Sequence, residues 1–448
     1  MPSSLELTSV RGSSLESEGR KGLRLGRGQP SRAVTIAFAA FVTSLPFEAA
    51  LIEGGSGLSI SRLVGYVFFA FALLQPRTCF KRPPHAFWWF AGYLGLHALD
   101  GLFQPSMFWP EIFAKNLRLI QLLMVLWIGY NLFRYQRVVR WSLWGFGWGC
   151  VAVSGLLAVG IGTTQAPQGR ETMFGQGANA LAALVALGAL TLLGMAYGRT
   201  SARRSTKVVA WGSLLVVVVA IARTGSRGGL VGLGAGLMTL MISRSSPRTW
   251  LRNAAILFLA LIACYWITMS FEVTAMRWRS TLEEGNTSGR LPIFLAAWRM
   301  FEEKPLLGWG VVTNYYELGG RFNMLTRDTH NLFLWLLTEL GVVGTIPFCI
   351  GLALCVRSAW RGRKSIQGLL PFALITTILT LNLSGTYYQQ KWFWVILAYS
   401  LASENYLRAR KTRSIVGADT RPLFVEATRP GAAIGRPKQR SRRVSLKP

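Results

Sequence analysis

Acidic residues are scarce in this 448-residue chain, which contains 19 Asp and Glu against 49 Lys and Arg. The resulting net charge of +30 would suit a nucleic-acid-binding protein if the basic residues formed one module. They are instead spread over short connections and the two ends of the chain. That distribution is typical of membrane proteins anchored by cationic loops, so we expect no nucleic acid among the partners.

Residues that commonly hold metal ions are also few. The three histidines and five cysteines form no cluster along the sequence. The cysteines lie in or beside apolar segments without paired spacing, which favours small core residues over disulfides. The segments that we predict below to lie outside the cytoplasm contain no pair of acidic residues of the kind that holds Mg²⁺ or Mn²⁺ in a nucleotide-sugar transferase. The sequence therefore predicts neither a metal site nor a cofactor.

Hydrophobic residues make up 51% of the chain, with 17 Trp and 25 Phe. Apolar runs of about 17 to 25 residues recur, which is the helix length that crosses a bilayer. We predict an all-α polytopic membrane protein with about 12 transmembrane helices. The predicted spans are Ala33–Leu51, Leu58–Leu74, Ala86–Phe103, Asn116–Phe133, Trp141–Ile161, Ala178–Tyr197, Val208–Ala222, Gly228–Ile242, Leu251–Phe271, Asn331–Val356, Gly368–Thr386 and Trp392–Leu407.

The orientation of these spans follows from the charges that flank them. With both termini in the cytoplasm, the cytoplasmic segments carry roughly 35 Lys and Arg residues and the opposite side roughly 12. The longest polar segment between spans is then an extracytoplasmic loop between helices 9 and 10, in which we expect amphipathic helices. The predicted organisation is a disordered basic cytoplasmic tail (1–32), helices 1–9 (33–271), the loop (272–329), helices 10–12 (330–407) and a second disordered basic cytoplasmic tail (408–448).

A histidine stands where the long loop meets helix 10. His330 follows Asp328 and opens the run HNLFLWLLTELGVVG. An unperturbed imidazole has a pKa that suits a general base near neutral pH. Asp328 is a candidate to orient the ring, although an Asp just before a helix equally suits capping of that helix. Asn331 is the second supporting candidate. A lone histidine is more often structural, but these neighbours favour a catalytic role.

Two arginine-bearing motifs are predicted to face the same side. The turn RTGSRGG brings Arg223 and Arg227 together at the membrane edge, where guanidinium groups match phosphate oxygens. Arginines that only anchor helix ends would look the same. In the long loop, GRLPIFLAAWRMFEEKP predicts an amphipathic helix with Arg290 at its start. Anion binding and simple anchoring are equal alternatives for Arg290. The predicted apolar face contains Leu291, Phe294, Trp298 and Phe301, and we expect the helix to lie flat on the outer leaflet.

In these pieces the chain resembles the O-antigen ligase superfamily. The matching motifs are SRGGLVGLGAG at 226–236, GRLPIFLAAWRMFEEKPLLGWG at 289–310 and HNLFLWLLTELGVVG at 330–344. They occur in the order found in the superfamily, which includes O-antigen ligases, O-antigen polymerases and bacterial O-oligosaccharyltransferases. The chain looks most like a ligase, with a polymerase or an oligosaccharyltransferase as the alternatives.

The resemblance implies an inverting, metal-independent, GT-C-like glycosyltransferase in the bacterial inner membrane with a periplasmic active site. It implies a glycan on undecaprenyl diphosphate as donor and the lipid A core as acceptor, both held in the lipid bilayer. His330 corresponds to the superfamily's essential histidine, the proposed base. Arg227 and Arg290 correspond to arginines that would bind the diphosphate, and Arg223 joins them on proximity alone.

A transporter for a lipid-linked sugar is the alternative from another class. Ion-coupled transport favours ionisable side chains near the middle of several spans, whereas the candidate charges here lie at one edge. Arg62, Asp100, Arg118 and Glu339 fall within predicted spans and keep the alternative open. For Glu339 we expect a structural hydrogen-bonding role.

Overall fold

The structure, a computed structural model, describes residues 29–48, 59–166, 169–197, 204–241, 247–283 and 289–406. All of them belong to one compact unit. The tails predicted to be disordered, 1–32 and 408–448, lie outside the described residues apart from 29–32.

Helices occupy every segment that the sequence predicts to cross the membrane. In chain order, the helices of the described residues are α1 (Arg32–Ser44), α2 (Ile60–Leu73), α3 (Pro76–Cys79), α4 (His85–Phe103), α5 (Trp109–Leu132), α6 (Gln136–Val159), α7 (Ala178–Ala196), α8 (Arg204–Arg223), α9 (Arg227–Met241), α10 (Pro247–Met269), α11 (Glu272–Glu283), α12 (Arg290–Glu303), α13 (Thr313–Gly320), α14 (Leu332–Gly362), α15 (Leu370–Asn382) and α16 (Lys391–Ala402).

Five of the described helices are long and apolar enough to cross a membrane on length and composition alone. They are α5 with the turn before it, α6, α7, α8 and α14. A sixth would be the pair α10 and α11, which is bent by 108° between Met269 and Glu272. Helices α1, α2, α15 and α16 are apolar but shorter. The protein is thus a multi-pass membrane protein, while the number of 12 spans and the layout of the long loop stay predictions.

Helix α7 is the centre of the bundle, with 78% of its apolar stretch buried. Small residues let its neighbours approach closely, as is common between membrane helices. A Cβ atom added to Gly188 of α7 would lie 2.1 Å from Cβ of Cys150 on α6. A Cβ atom added to Gly236 of α9 would lie 2.2 Å from Cδ1 of Leu190 on α7. The first contact holds α7 against α6. The second holds α9 against α7 and so positions the turn that precedes α9.

Many large apolar side chains lie on the surface of the bundle. Leu63, Trp88, Leu102, Phe113 and Phe258 are each more than 40% exposed. In water, an apolar surface of this extent would drive association, whereas in a bilayer it faces lipid. The surface therefore agrees with the membrane location that the composition predicts.

The all-α prediction missed one small hairpin. Strand β1 (Thr163–Ala166) pairs antiparallel with β2 (Arg170–Met173), and Ala166 stands opposite Arg170. Gly169 just before β2 has a left-handed backbone with φ of +69°, which glycine adopts without strain. Strands of four residues are too short for an alternating pattern to stand out in the sequence.

Helix α14 is broken near its middle, at Gly341 with φ of 57° and ψ of −157°. The end of the long loop pairs with the exposed backbone at this break. The Gly310 N–H donates to the Glu339 carbonyl at 2.9 Å, and the Val342 N–H donates to the Pro305 carbonyl at 2.9 Å. Such pairing satisfies backbone groups that water does not reach. The loop is thereby tied to the helix that follows it.

The helix predicted in the long loop is present as α12, and it packs on the protein by the face opposite its predicted membrane-facing one. Its buried residues are Ile293, Ala297 and Met300, which share spacings of four and three with the predicted stripe. Leu291 and Trp298 from the predicted apolar face are 55% and 46% exposed. Both faces are apolar, and the face that stays exposed is the one that the sequence predicts to lie on the membrane surface. The exposed face suits contact with a membrane surface.

Candidate functional site

Four arginines from four separate elements meet on one side of the bundle. Arg170 belongs to β2, Arg227 begins α9, Arg277 lies in α11 and Arg290 begins α12. Each of the four interacts electrostatically with the other three. We call this set the arginine cluster. The sequence singled out Arg227 and Arg290 but missed Arg170 and Arg277.

Arg170 is held in the cluster by hydrogen bonds to the turn between α8 and α9. Its Nε donates to the Thr224 carbonyl at 2.8 Å, and its Nη2 donates to Asn179 Oδ1 at 2.7 Å. The same Asn179 oxygen accepts from Ser226 Oγ at 3.1 Å. Ser226 Oγ in turn accepts from the Gly229 N–H at 3.3 Å and so caps α9. The hairpin, α7 and the turn are therefore positioned together.

Arg227 and Arg277 approach each other over a glycine. Nη1 of Arg227 donates to the Arg277 carbonyl at 2.7 Å. Gly225 has φ of +60°, and a Cβ atom there would lie 3.5 Å from both Arg170 Cγ and Arg277 Cδ. A glycine in this turn both permits the left-handed backbone and leaves room for the arginine side chains.

The cluster concentrates positive charge in a partly buried place. Burial lowers the pKa of Arg170 to about 10, and repulsion from Arg277, Arg290 and Arg227 adds to the effect. Burial likewise lowers the pKa of Arg290 from its usual value. Arg170 stays protonated at neutral pH, so the repulsion within the cluster persists. A multiply charged anion bound among the arginines would relieve that repulsion and accept bidentate hydrogen bonds.

His330 lies beside the cluster in a strained conformation. Its φ of 52° is left-handed, which costs about 1–2 kcal/mol for a residue with a Cβ atom. Asp328 Oδ1 stabilises this backbone by accepting from the His330 N–H at 2.8 Å, and it also accepts from Thr386 Oγ1 at 2.8 Å. Within the described ranges the imidazole itself makes no hydrogen bond. Asp328 therefore orients His330 through the main chain.

The charge state of His330 suits a base. Burial lowers the pKa of the imidazole, and the neighbouring cations Arg290 and Arg327 lower it further, while Asp328 acts in the opposite direction. The ring is consequently neutral at pH 7 and can accept a proton.

Asn331 is the N-cap of α14. Its Oδ1 accepts from the Phe333 N–H at 2.9 Å and from the Leu334 N–H at 3.2 Å. Thr329 Oγ1 donates to the Asn331 carbonyl at 2.8 Å. The sequence left helix capping and orientation of His330 as equal alternatives for Asp328. The structure gives the capping to Asn331.

Tyr387 connects the cluster to the His330 segment and was not noticed in the sequence. It is 7% exposed and interacts electrostatically with Arg290, Asp328 and Arg170. Burial raises the pKa of its phenol to about 12, so the hydroxyl stays protonated. The adjacent Thr386 is the residue that contacts Asp328. Two adjacent tyrosines, Tyr387 and Tyr388, before a membrane helix are typical of residues that anchor a helix at the membrane interface, so the sequence did not single out Tyr387.

Arg223 is engaged elsewhere. Its guanidinium makes a two-point contact with Glu171, with Nη2 at 3.0 Å from Oε1 and Nε at 2.9 Å from Oε2. Both side chains are mostly buried. The contact ties α8 to the hairpin and neutralises the arginine.

An apolar cavity of about 410 Å³ lies between α9 and α10 and is partly open. Leu230, Leu261 and Trp278 contribute to its lining. Trp278 follows Arg277 of the arginine cluster directly in the sequence. Gly234 also lines the cavity, and the nearest atom to a Cβ added there is Leu261 Cδ2 at 3.8 Å.

Two of the ionisable residues within the bundle, Glu339 and Asp100, are held by structural contacts. Glu339 is completely buried and accepts from Tyr93 Oη at 2.8 Å, with His97 Nε2 at 3.8 Å. Asp100 accepts from the Val311 N–H at 2.7 Å. Both carboxylates bind parts of the fold together.

Metal-binding side chains are not gathered anywhere in the part of the chain that the structure describes. No three residues of the types His, Cys, Asp and Glu come close enough there to hold an ion. All five cysteines are free thiols.

The bundle and its arginine-lined site define a multi-pass membrane protein with a group of cationic side chains on one side. Residues 212–349 match the family described as O-antigen ligase. Over 259 residues, 56% of the chain, the sequence is 27% identical to an O-antigen ligase of Pseudomonas aeruginosa, and the match covers 60% of that protein's length. These matches confirm the resemblance to the O-antigen ligase superfamily. Arg227, Arg277, Arg290 and His330 lie inside the family match, whereas Arg170 and Tyr387 lie outside it.

Proposed function

We propose that the protein transfers a glycan from undecaprenyl diphosphate to the lipid A core on the periplasmic side of the bacterial inner membrane. The observation that carries the proposal is the arginine cluster beside a neutral imidazole. A lipid diphosphate on the outer side of the membrane needs cations, and arginines provide them without a metal ion. The resemblance to O-antigen ligases supports the choice of substrates.

In the proposed reaction, the acceptor hydroxyl gives its proton to His330 while its oxygen attacks the anomeric carbon of the donor glycan. The bond between that carbon and the diphosphate oxygen breaks on the opposite face, so the anomeric centre is inverted. The electron pair leaves with the diphosphate. Arg227 and Arg290, with Arg170 and Arg277, stabilise the leaving group. Arg223 keeps the hairpin in place and does not contact the donor.

The cavity between α9 and α10 is where we place the first part of the donor's prenyl chain. Its lining is almost entirely apolar, and Trp278 in that lining is adjacent in sequence to Arg277 of the arginine cluster. A lipid diphosphate has the same arrangement, with charge at one end and an apolar chain attached directly to it.

Formation of glycosylated lipid in detergent distinguishes an enzyme from a transporter. Purified protein is incubated with the lipid-linked glycan and lipid A core, and the glycosylated lipid is measured. We expect product, because catalysis does not require two separated compartments. The structural contacts of Glu339 and Asp100 favour the same answer. Absence of product from folded, donor-binding protein would instead support transport.

A deletion strain distinguishes a ligase from a polymerase. We assign the ligase reaction, and lipopolysaccharide from the strain should then carry no O-antigen. A single retained repeat unit would indicate a polymerase.

Chelation of metal ions is expected to leave the transfer rate unchanged, because the proposed leaving-group stabilisation uses guanidinium groups alone. The measurement is the initial rate in detergent with EDTA, followed by added Mg²⁺ or Mn²⁺. A large loss of rate that these ions restore would contradict the arginine-only account.

Filling the apolar cavity is expected to weaken donor binding. Gly234→Trp places an indole where the prenyl chain is proposed to lie. Displacing two methylene groups, at about 0.8 kcal/mol each, weakens binding by about tenfold. Gly234→Ala is the matched control, since the added methyl group meets only ordinary contact. A donor with a shortened prenyl chain should be less affected than the full-length donor. Equal loss for both chain lengths would show that the cavity holds another part of the donor.

A further inference from the structure

A second basic site lies next to Glu48, where α2, α5 and α16 meet. Lys391, the first residue of α16, donates to Glu48 at 2.5 Å and to Ser61 Oγ at 2.7 Å. Arg118 of α5 donates from Nε to the Gln389 carbonyl at 3.1 Å. Lys391 also interacts electrostatically with Arg118. Lys391 and Arg118 are therefore two cations that share the carboxylate of Glu48.

Arg118 keeps part of its guanidinium available for a ligand. The bond from Nε to Gln389 fixes the plane of the group, and within the described residues its Nη atoms make no hydrogen bond. Arg62, the third cation here, interacts electrostatically with both Arg118 and Lys391. A phosphate group would accept from the fixed fork of Arg118 and the flexible ammonium of Lys391.

The surroundings of this second basic site point to a lipid. Leu63 and Tyr66 on α2 are each 50% exposed, and Leu117, next to Arg118 on α5, is 45% exposed. A basic pocket between membrane helices, bordered by apolar surface, is the arrangement that recognises anionic lipid head groups. The ligand should therefore carry a phosphate at the level of the membrane surface and acyl chains below it.

The second basic site and the donor site share one segment of chain. Gln389, which contacts Arg118, stands two residues after Tyr387, and consecutive Cα atoms are about 3.8 Å apart. A lipid phosphate bound at Arg118 would thus lie beside the place where the donor diphosphate is proposed to bind. The acceptor, which must approach His330 from the membrane, is the lipid that needs such an anchor.

We propose that Arg118 and Lys391 bind a phosphate group of the acceptor lipid and so hold the acceptor next to the donor. The assignment of this lipid as the acceptor rests on the proposed function. Glu48 competes with the phosphate for Lys391. Arg118 and Lys391 are binding residues and take no part in the transfer of the glycan.

The test measures acceptor binding in the absence of donor. The full-length protein in detergent binds a fluorescent lipid A, which is displaced by unlabelled phosphorylated lipid A or by the same lipid after enzymatic removal of its phosphates. Wild-type protein should prefer the phosphorylated form by about tenfold or more, the equivalent of about 1.4 kcal/mol. Arg118→Gln should lose most of that preference while binding the dephosphorylated lipid as well as wild type does.

Two further variants test whether lipid A binding can be strengthened and whether the effect is specific to this site. Glu48→Gln should bind phosphorylated lipid A more tightly than wild type, because it removes the competing carboxylate. A structural role for Glu48 would not produce this gain. Arg361→Gln is the matched control, since Arg361 pairs with Glu404 at 3.6 Å on another part of the bundle and should not affect lipid A binding. Thermal unfolding establishes that each variant is folded.

The outcomes separate this inference from the proposed function. Equal weakening of both lipids by Arg118→Gln, or no weakening of either, would overturn the phosphate site. Displacement of the probe by inorganic phosphate or phosphatidylglycerol as readily as by lipid A would overturn the assignment to the acceptor. If wild type shows the phosphate preference but transfers no glycan, the proposed function fails and the site stands. If it transfers glycan without the preference, the reverse holds.

Discussion

His330→Ala is expected to reduce glycan transfer by about 10²- to 10⁴-fold while leaving donor binding nearly unchanged. General base catalysis contributes a rate factor of this size. The base acts on the acceptor's proton, which forms no part of the bound donor. The measurements are single-turnover transfer and donor affinity on folded protein in detergent.

The left-handed backbone at His330 calls for a second variant. Alanine carries a Cβ atom and so keeps the strain of φ 52°, but it removes every ring contact. Asparagine adopts this conformation more readily and has no basic nitrogen, so His330→Asn preserves the backbone and removes the base. Both variants should lose transfer to a similar extent. Loss of donor binding as severe as in the arginine variants would mean that His330 binds phosphate or supports the fold.

The pH profile of the wild-type enzyme gives an independent readout of the same role. A base works in its neutral form, so the rate should rise with pH as His330 loses its proton. Burial and the cations Arg290 and Arg327 lower the pKa of the ring below its usual 6.5. The acidic limb of kcat/KM should therefore fall below pH 6.5. Arg290→Gln removes one of these cations and should move the limb to higher pH.

The candidate residues that the sequence singled out are those whose local context was informative. His330 and Arg290 each stand at the start of a predicted helix, and Arg227 stands in a tight turn between two spans. All three also fall in motifs of the O-antigen ligase superfamily. The local pattern was enough to single out these residues, because helix capping and helix periodicity depend on near neighbours in the chain.

The parts that the sequence missed depend on contacts between distant segments. Arg170 joins the cluster through Thr224, which is 54 residues away, and it looks like an ordinary loop cation in the sequence. Arg223 and Arg227 look alike in the turn, yet Glu171 on the unpredicted hairpin neutralises only Arg223. Periodicity and charge counts contain no information on such pairings. The break of α14 at Gly341 was not predicted for the same reason. The backbone groups at the break pair with Pro305 and Gly310, which lie about 30 residues earlier in the chain.

Arg290→Ala is expected to weaken donor binding by about tenfold to a hundredfold without destabilising the protein. A hydrogen bond to a charged group contributes about 1.5–3 kcal/mol, which corresponds to that range. Burial opposes the charge of Arg290 in the free protein, as its lowered pKa shows. Its charge also repels those of Arg170, Arg227 and Arg277. Removing it relieves both costs, so the melting temperature should stay the same or rise while donor affinity falls.

Two variants of Arg227, the control Arg299→Ala and the contrasting variant Arg223→Ala make this prediction specific. Arg227→Ala should also weaken donor binding, and Arg227→Lys should recover little, because an ammonium does not reproduce a two-point contact with phosphate oxygens. Arg299→Ala is the matched control, since Arg299 is an exposed residue of the same helix as Arg290. Arg223→Ala should lower the melting temperature, because it breaks the pair with Glu171. The different effects on the melting temperature follow from the partners, since Arg290 faces repulsion from other arginines and Arg223 faces a carboxylate. If Arg290→Ala destabilised the protein and bound donor normally, the cluster would be a structural feature and the diphosphate would have to bind elsewhere.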